Sequence, residues 1–139
     1  MLRSFFVLLI LLYASYRDIK TMEIPDCCFV CILILSQEPR PIVFFSLIFL
    51  YGLVAAISAL LKKNVPMGFG DIKVLAAIGF VRGFEDLIYL FCFSSIVCGA
   101  YCLIRLIFTK NKKEFLKGDI PYMPFILCGF ILTEILSLK

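Results

Sequence analysis

Met67-Gly68-Phe69-Gly70-Asp71 runs directly into Ile72-Lys73-Val74-Leu75-Ala76-Ala77-Ile78-Gly79. Two glycines flank one aromatic ring, and an aspartate then opens an apolar helix. Glycine has no Cβ, so the backbone here is free to take φ > 0 or to let another segment come close. The aspartate stands where a helix starts, near the unpaired N–H groups of the first turn. Taken alone, the pattern reads as a Gly-rich turn with an Asp N-cap. Its surroundings decide whether it is more.

Those surroundings are apolar. Of 139 residues 63% are hydrophobic, and mean hydropathy is +1.05, whereas a soluble domain is about 45–50% apolar. A globule this small has too much surface for its volume to hide the excess. The expected fold is all-α and polytopic, an integral membrane protein with a single domain over residues 1–139 and no separate soluble domain.

Six apolar runs, residues 2–16, 27–36, 42–61, 72–81, 87–108 and 125–138, predict about six transmembrane helices. The first has the length of a signal-peptide core, but no small-residue cleavage site follows it, so it reads as a retained helix. The third and fifth are long enough to span a core of ~30 Å. The second and fourth, at about 15 Å each as helices, are short for a span. Positive residues gather on the cytoplasmic side of membrane proteins. The first, third and fifth loops carry Arg17, Lys20, Lys62, Lys63, Lys73, Lys110, Lys112, Lys113 and Lys117, and the second and fourth only Arg40 and Arg82. The odd loops, Asp18 and Asp71 with them, are expected to face the cytoplasm, provided that all six runs cross. The net charge of +4 therefore reads as topology, not as a nucleic-acid surface.

No histidine is present, which excludes imidazole chemistry and His-ligated metals. The seven cysteines all lie in apolar runs, where free Cys behaves as a small hydrophobe. Cys28 and Cys31 form a CxxC, but a zinc site needs a second pair. No metal and no cofactor is expected.

Asp18 and Asp71 are the candidate chemistry. Each sits at the end of an apolar helix, where an ionised carboxylate is expensive unless wet or paired. Two carboxylates brought together cannot both ionise readily, so the pair holds one proton and acts as acid and base at once. That suffices to activate a water and protonate a departing amide nitrogen. Asp18 taken alone reads better as part of a solvated turn beside Arg17 and Lys20.

As a set, these residues resemble the type IV prepilin peptidases, membrane aspartic proteases of the GxGD class. The resemblance rests on Asp18, on Ile24-Pro25-Asp26 six residues later, on Met67 to Gly79, and on Ile120-Pro121-Tyr122-Met123-Pro124-Phe125. It implies that Asp18 and Asp71 are the catalytic pair and that Gly68 and Gly70 shape the loop beside Asp71. Pro25, Asp26, Pro121 and Pro124 are motif positions, and Lys73 either lowers a nearby carboxylate pKa or, as preferred here, is a topology charge. The implied enzyme is an inner-membrane, multi-pass protein that cuts prepilin-like precursors at the cytoplasmic face, just before their hydrophobic helix.

Three departures stand out. Ile-Pro-Asp replaces the common Ile-Pro-Asn, with Asp26 expected to cap a helix as Asn would. Met123 stands where glycine is frequent. The loop with two CxxC pairs that larger members link to N-methylation is missing, which implies cleavage without methylation, as in short members serving Flp/Tad-type pili or archaeal flagellins. Two other classes fit the composition: a non-catalytic membrane protein assisting a pilus, secretion or transport assembly, and a transporter. No inverted repeat supports the latter. Of the remaining acids, Asp119 reads as an N-cap of the last helix, and Glu85 and Asp86 as a solvated turn.

Overall fold

A computed structural model of the protein describes residues 2–36, 39–60, 68–108 and 120–137, and all the elements among them are helices. They are α1 (Leu2–Thr21), α2 (Asp26–Ile34), α3 (Pro41–Leu60), α4 (Phe69–Arg82), α5 (Phe84–Phe108) and α6 (Met123–Ser137). Met67, Lys62, Lys63, the basic stretch 110–117 and Asp119 lie outside the described residues.

The all-α expectation holds, with shifted boundaries. α1 continues past Tyr16 to Thr21, which puts Asp18 inside a helix and not in a solvated turn. The helix ends where Met22 takes φ 54°, its amide still donating to the Asp18 carbonyl at 2.9 Å. α5 begins at Phe84, three residues before its apolar run, because only Gly83 separates it from α4. Gly83 has φ 105°, a backbone that glycine alone adopts cheaply. Asp26 does not cap α2. Pro25 holds the N-cap position without any side-chain cap bond, and the Asp26 carboxylate is taken by Lys73.

Two apolar stretches, Pro41–Ser58 in α3 and Phe84–Phe108 in α5, are long enough to cross a bilayer. Only 6% and 17% of them are buried within the protein. A core helix of a soluble protein would be enclosed, whereas here Phe45, Phe49, Ile104 and Ile107 face outward. Lipid is the solvent that tolerates such a surface. α6 is apolar too, but shorter.

Apolar helices gain nothing by leaving lipid for one another, so close packing and polar contacts decide their arrangement. α4 packs on α3 and α2, and α6 on α5 and α1; lighter contacts of α4 with α5 and of α1 with α2 join the two trios. Leu11, Ile32, Val74, Ile78, Met123, Ile126 and Phe130 meet in a sealed core drawn from both.

The polar residues sort to the two ends of this core. Asp18, Asp71 and the start of α6 share one end. Ser4, Arg40, Arg82 and Glu134 share the other: the Arg40 amide donates to the Phe80 carbonyl at 3.1 Å and its guanidinium to the Arg82 carbonyl at 3.0 Å. The link between α2 and α3 therefore lies at the end of α4 remote from Asp71. α2 has nine residues, about 13 Å of helix, yet with the Leu35–Arg40 link it carries the chain from one end to the other.

Candidate active site

Asp18 is 6% exposed and Asp71 8%. Asp18 projects from the last turn and a half of α1, and its Oδ2 accepts the Met123 amide at 3.0 Å. The nearby amide of Tyr122 also favours the charged form of this carboxylate. The local sequence explains why these two donors are free. Pro121 and Pro124 have no N–H, and the Phe125 and Ile126 amides donate to the Tyr122 carbonyl at 3.0 and 3.2 Å. Only Tyr122 and Met123 are left with amides to offer; that of Met123 bonds Asp18, and that of Tyr122 favours its charge from nearby. A carboxylate from α1 thus meets the free amide at the start of α6. A negative charge there is also favoured by the helix dipole.

Asp71 lies in the first turn of α4, three residues after the N-cap Gly68, and is not itself the cap. Its Oδ1 is buried with no hydrogen-bond partner among the described residues. Both aspartates lie beyond the apolar runs of their helices. Burial raises the Asp71 carboxyl, and the neighbouring Asp18 charge raises it further, to about 7. Burial also lifts Asp18, but the Met123 and Tyr122 amides pull it back. The two carboxyls are therefore unequal, with the last proton resting on Asp71.

The glycines do not use positive φ; Gly68 has φ −64° and ψ 142°. Both matter for what a Cβ would strike. On Gly68 it would lie 3.3 Å from Asp71 Oδ2, and on Gly70 3.1 Å from Cδ1 of Ile24. The Ile24-Pro25 motif is thus a wall against which the Gly-rich stretch is pressed. Gly70→Ala should push α4 off Ile24 and lower turnover by about tenfold, since small displacements of reacting groups are costly. Adding Ile24→Val should recover part of it; a double variant no better than Gly70→Ala alone would show that the contact is not the cause.

Lys73 is more than a topology charge. Its Nζ pairs with Asp26 Oδ1 at 2.8 Å and sits 4.8 Å from the centroid of the Phe69 ring. The pair ties the start of α2 to the first turn of α4. It also gives Asp26, the departure from Ile-Pro-Asn, a partner that the neutral Asn would not hold as strongly. A recess of about 370 Å³ opens here, between Met22–Asp26 and the start of α4, with Asp71 in its wall. A second, apolar groove of about 350 Å³ runs between α3, α4 and α5 and includes Ile72 and Leu75. The Tyr51 and Phe69 rings, 5.5 Å apart, stand between the two.

Sequence reasoning missed the two amides and the role of Ile24. The proline pair around Tyr122 and Met123 was the available signal, because it marks which amides remain. It also passed over Glu134, an acid inside the last apolar run, although such a residue in a membrane helix marks a partner.

A family model described as the type IV leader peptidase family matches residues 5–103. A curated relative, Prepilin peptidase EppA of Methanococcus maripaludis, is 32% identical over 139 residues, covering 96% of this chain and 40% of the relative. The chain thus spans well under half of that relative's length. No solved structure matches it.

Proposed function

The chain belongs to the type IV leader peptidase family, and from that premise we propose that it is a membrane aspartic endopeptidase, with Asp18 and Asp71 as its catalytic pair. The observation that carries this reading is the buried pair itself: two carboxylates from different helices, at one end of the core, in unequal surroundings.

Asp18, bonded by the Met123 amide with that of Tyr122 nearby, is the base; Asp71, buried and protonated, is the acid. Asp18 takes a proton from water as the oxygen attacks the scissile carbonyl carbon, and Asp71 gives its proton to the carbonyl oxygen. Asp18 then passes its proton to the amide nitrogen, the C–N bond breaks, and a hydroxyl proton of the tetrahedral intermediate returns to Asp71. Water, two carboxyls and a peptide balance without a metal or a cofactor.

The substrates are prepilin-like precursors of the Flp/Tad pilin or archaeal preflagellin type, cut just before their hydrophobic helix. The recess beside Asp71 receives the segment to be cut, and the apolar groove one turn along α4 gives the hydrophobic helix a place to lie. The enzyme is a multi-pass protein of the cytoplasmic membrane. Its active end faces the cytoplasm, a reading supported by the loop charges: Lys62, Lys63, Lys110, Lys112, Lys113 and Lys117 join Arg17, Lys20 and Lys73 on the odd loops of the sequence, against Arg40 and Arg82 on the even ones. Cleavage proceeds without N-methylation.

The test is co-expression with a prepilin-type precursor, read as the mobility shift of the processed product. Asp18→Asn, Asp71→Asn and the double variant should all leave the precursor uncut to a similar degree, because the pair works as a unit. Substantial processing by either single variant would remove that residue from the mechanism. Processing by neither variant nor parent would favour a non-catalytic role.

A further inference from the structure

We propose that Arg82, at the opposite end of the core from the aspartates, is a positioning residue that sets how Asp71 faces Asp18. This rests on the aspartic-pair reading above. Asp18 belongs to the trio α1, α5 and α6, and Asp71 to the trio α2, α3 and α4. The pair therefore exists only while α4 keeps its orientation toward α1 and α6. α4 packs its backbone closely on neither of these; its close packing is with α2 and α3.

What joins α4 to them at its far end is one guanidinium. Arg82 Nη2 donates to Ser4 Oγ of α1 at 3.0 Å and pairs with Glu134 Oε1 of α6. Its plane lies 4.9 Å from the Phe130 ring centroid of α6. Nη1 is 3.9 Å from Asp86 Oδ2 of α5. The Arg82 carbonyl accepts from Arg40, which adds the start of α3. α4 is 14 residues, a rod of about 21 Å. A rod packed on α2 and α3 and held also at Arg82 has two restraints against rolling or tilting at Asp71. A guanidinium suits this role because its rigid fork holds several acceptors in fixed directions, which an ammonium on a flexible stem does only in part.

Removing one partner of a buried pair leaves a stranded charge and threatens the fold, whereas replacing both with apolar residues of similar volume is often tolerated. The test variant is therefore Arg82→Met with Glu134→Met, beside Arg82→Lys, measured on purified enzyme with a peptide spanning a precursor cleavage site. The double variant should lose at least tenfold in kcat with KM within about twofold. Arg82→Lys should retain at least a third of kcat, a partial rescue.

A merely structural role would not move the titration of Asp71. Around Asp71 stand Asp18 of α1, Tyr122 ahead of α6, Glu23 and Asp26 by α2, and Lys73 of α4. If α4 turns away from Asp18, the alkaline limb of the pH–kcat profile should move down by about one pH unit. The carboxylic acid C=O infrared band that Asp71→Asn abolishes should titrate down with it. A double variant with parental kcat, or one with lower kcat and an unmoved band, overturns the proposal. Should the double variant fail to fold, Arg82→Lys decides alone: a band at the parental pH with reduced kcat counts against positioning. Activity persisting in Asp18→Asn would overturn the aspartic pair instead, whatever Arg82 does.

Discussion

Asp71→Asn should reduce turnover by about 10³-fold or more and yet make the protein more stable at alkaline pH. In the folded chain the Asp71 carboxyl keeps its proton to about pH 7, against 3.8 ordinarily. Below 3.8 both folded and unfolded chains hold the proton, and burying the neutral acid costs little. From 3.8 upward the unfolded chain ionises while the folded chain keeps its proton, so stability falls, and the loss is complete once pH has risen through about 7 and the folded group ionises too. The interval between 3.8 and about 7 corresponds to at most about 4 kcal/mol. Asparagine never ionises. The variant and the parent should therefore melt alike near pH 4, and the variant should lead by about 2–4 kcal/mol at pH 8.5. Melting curves in detergent at pH 4, 6, 7 and 8.5 would show this. A constant gap at every pH would mean that the charge of Asp71 carries no burial cost. In the active parent the same groups place the alkaline limb of the rate profile near pH 7 and the acid limb above 3.8.

Met123→Pro should have the next largest effect. Proline is tolerated at the first position of a helix, where its missing N–H costs no intrahelical bond. What it removes here is the donor to Asp18 Oδ2. A charge-assisted hydrogen bond of this kind contributes about 1.5–3 kcal/mol, or roughly 10- to 100-fold in rate if it holds the base ionised and aimed. The acid limb should rise as well, since Asp18 loses a contact that favours its ionised form. Met123 is fully buried, so Met123→Leu is the control: it keeps the amide and most of the packing, and should stay within about threefold of the parent. Equal losses in the two variants would assign the effect to the side chain and not to the amide.

Much of this was readable from residue order. Long apolar runs became α3 and α5 because bilayer length leaves few other uses for 20 such residues. The Gly-rich stretch and the aspartates stood out because glycine and buried acids are expensive where they have no purpose. The local reading failed wherever a distant partner decided the outcome. Asp18 looked like a solvated turn because its partners, Tyr122 and Met123, lie over a hundred residues away. Asp26 looked like a cap until Lys73 was found on it. Asp86, read as solvated, stands near Arg82, and Glu134 gave no local signal beyond being an acid among apolar neighbours. Each error has one cause: the contact that fixes a polar side chain in a membrane bundle comes from another helix, and sequence spacing does not record it.

The division of the bundle into two trios, one aspartate on each, has a bearing on how the chain is born. Helices enter the membrane one after another, and α1 is in place long before α6 arrives to meet it. Until both trios have closed, the two carboxyls are not brought together. If they are the catalytic pair, a newly inserted or partly assembled chain would be harmless to its neighbours. On the aspartic-pair reading, proteolytic competence would be the last thing the molecule acquires, and its onset would report that assembly is complete.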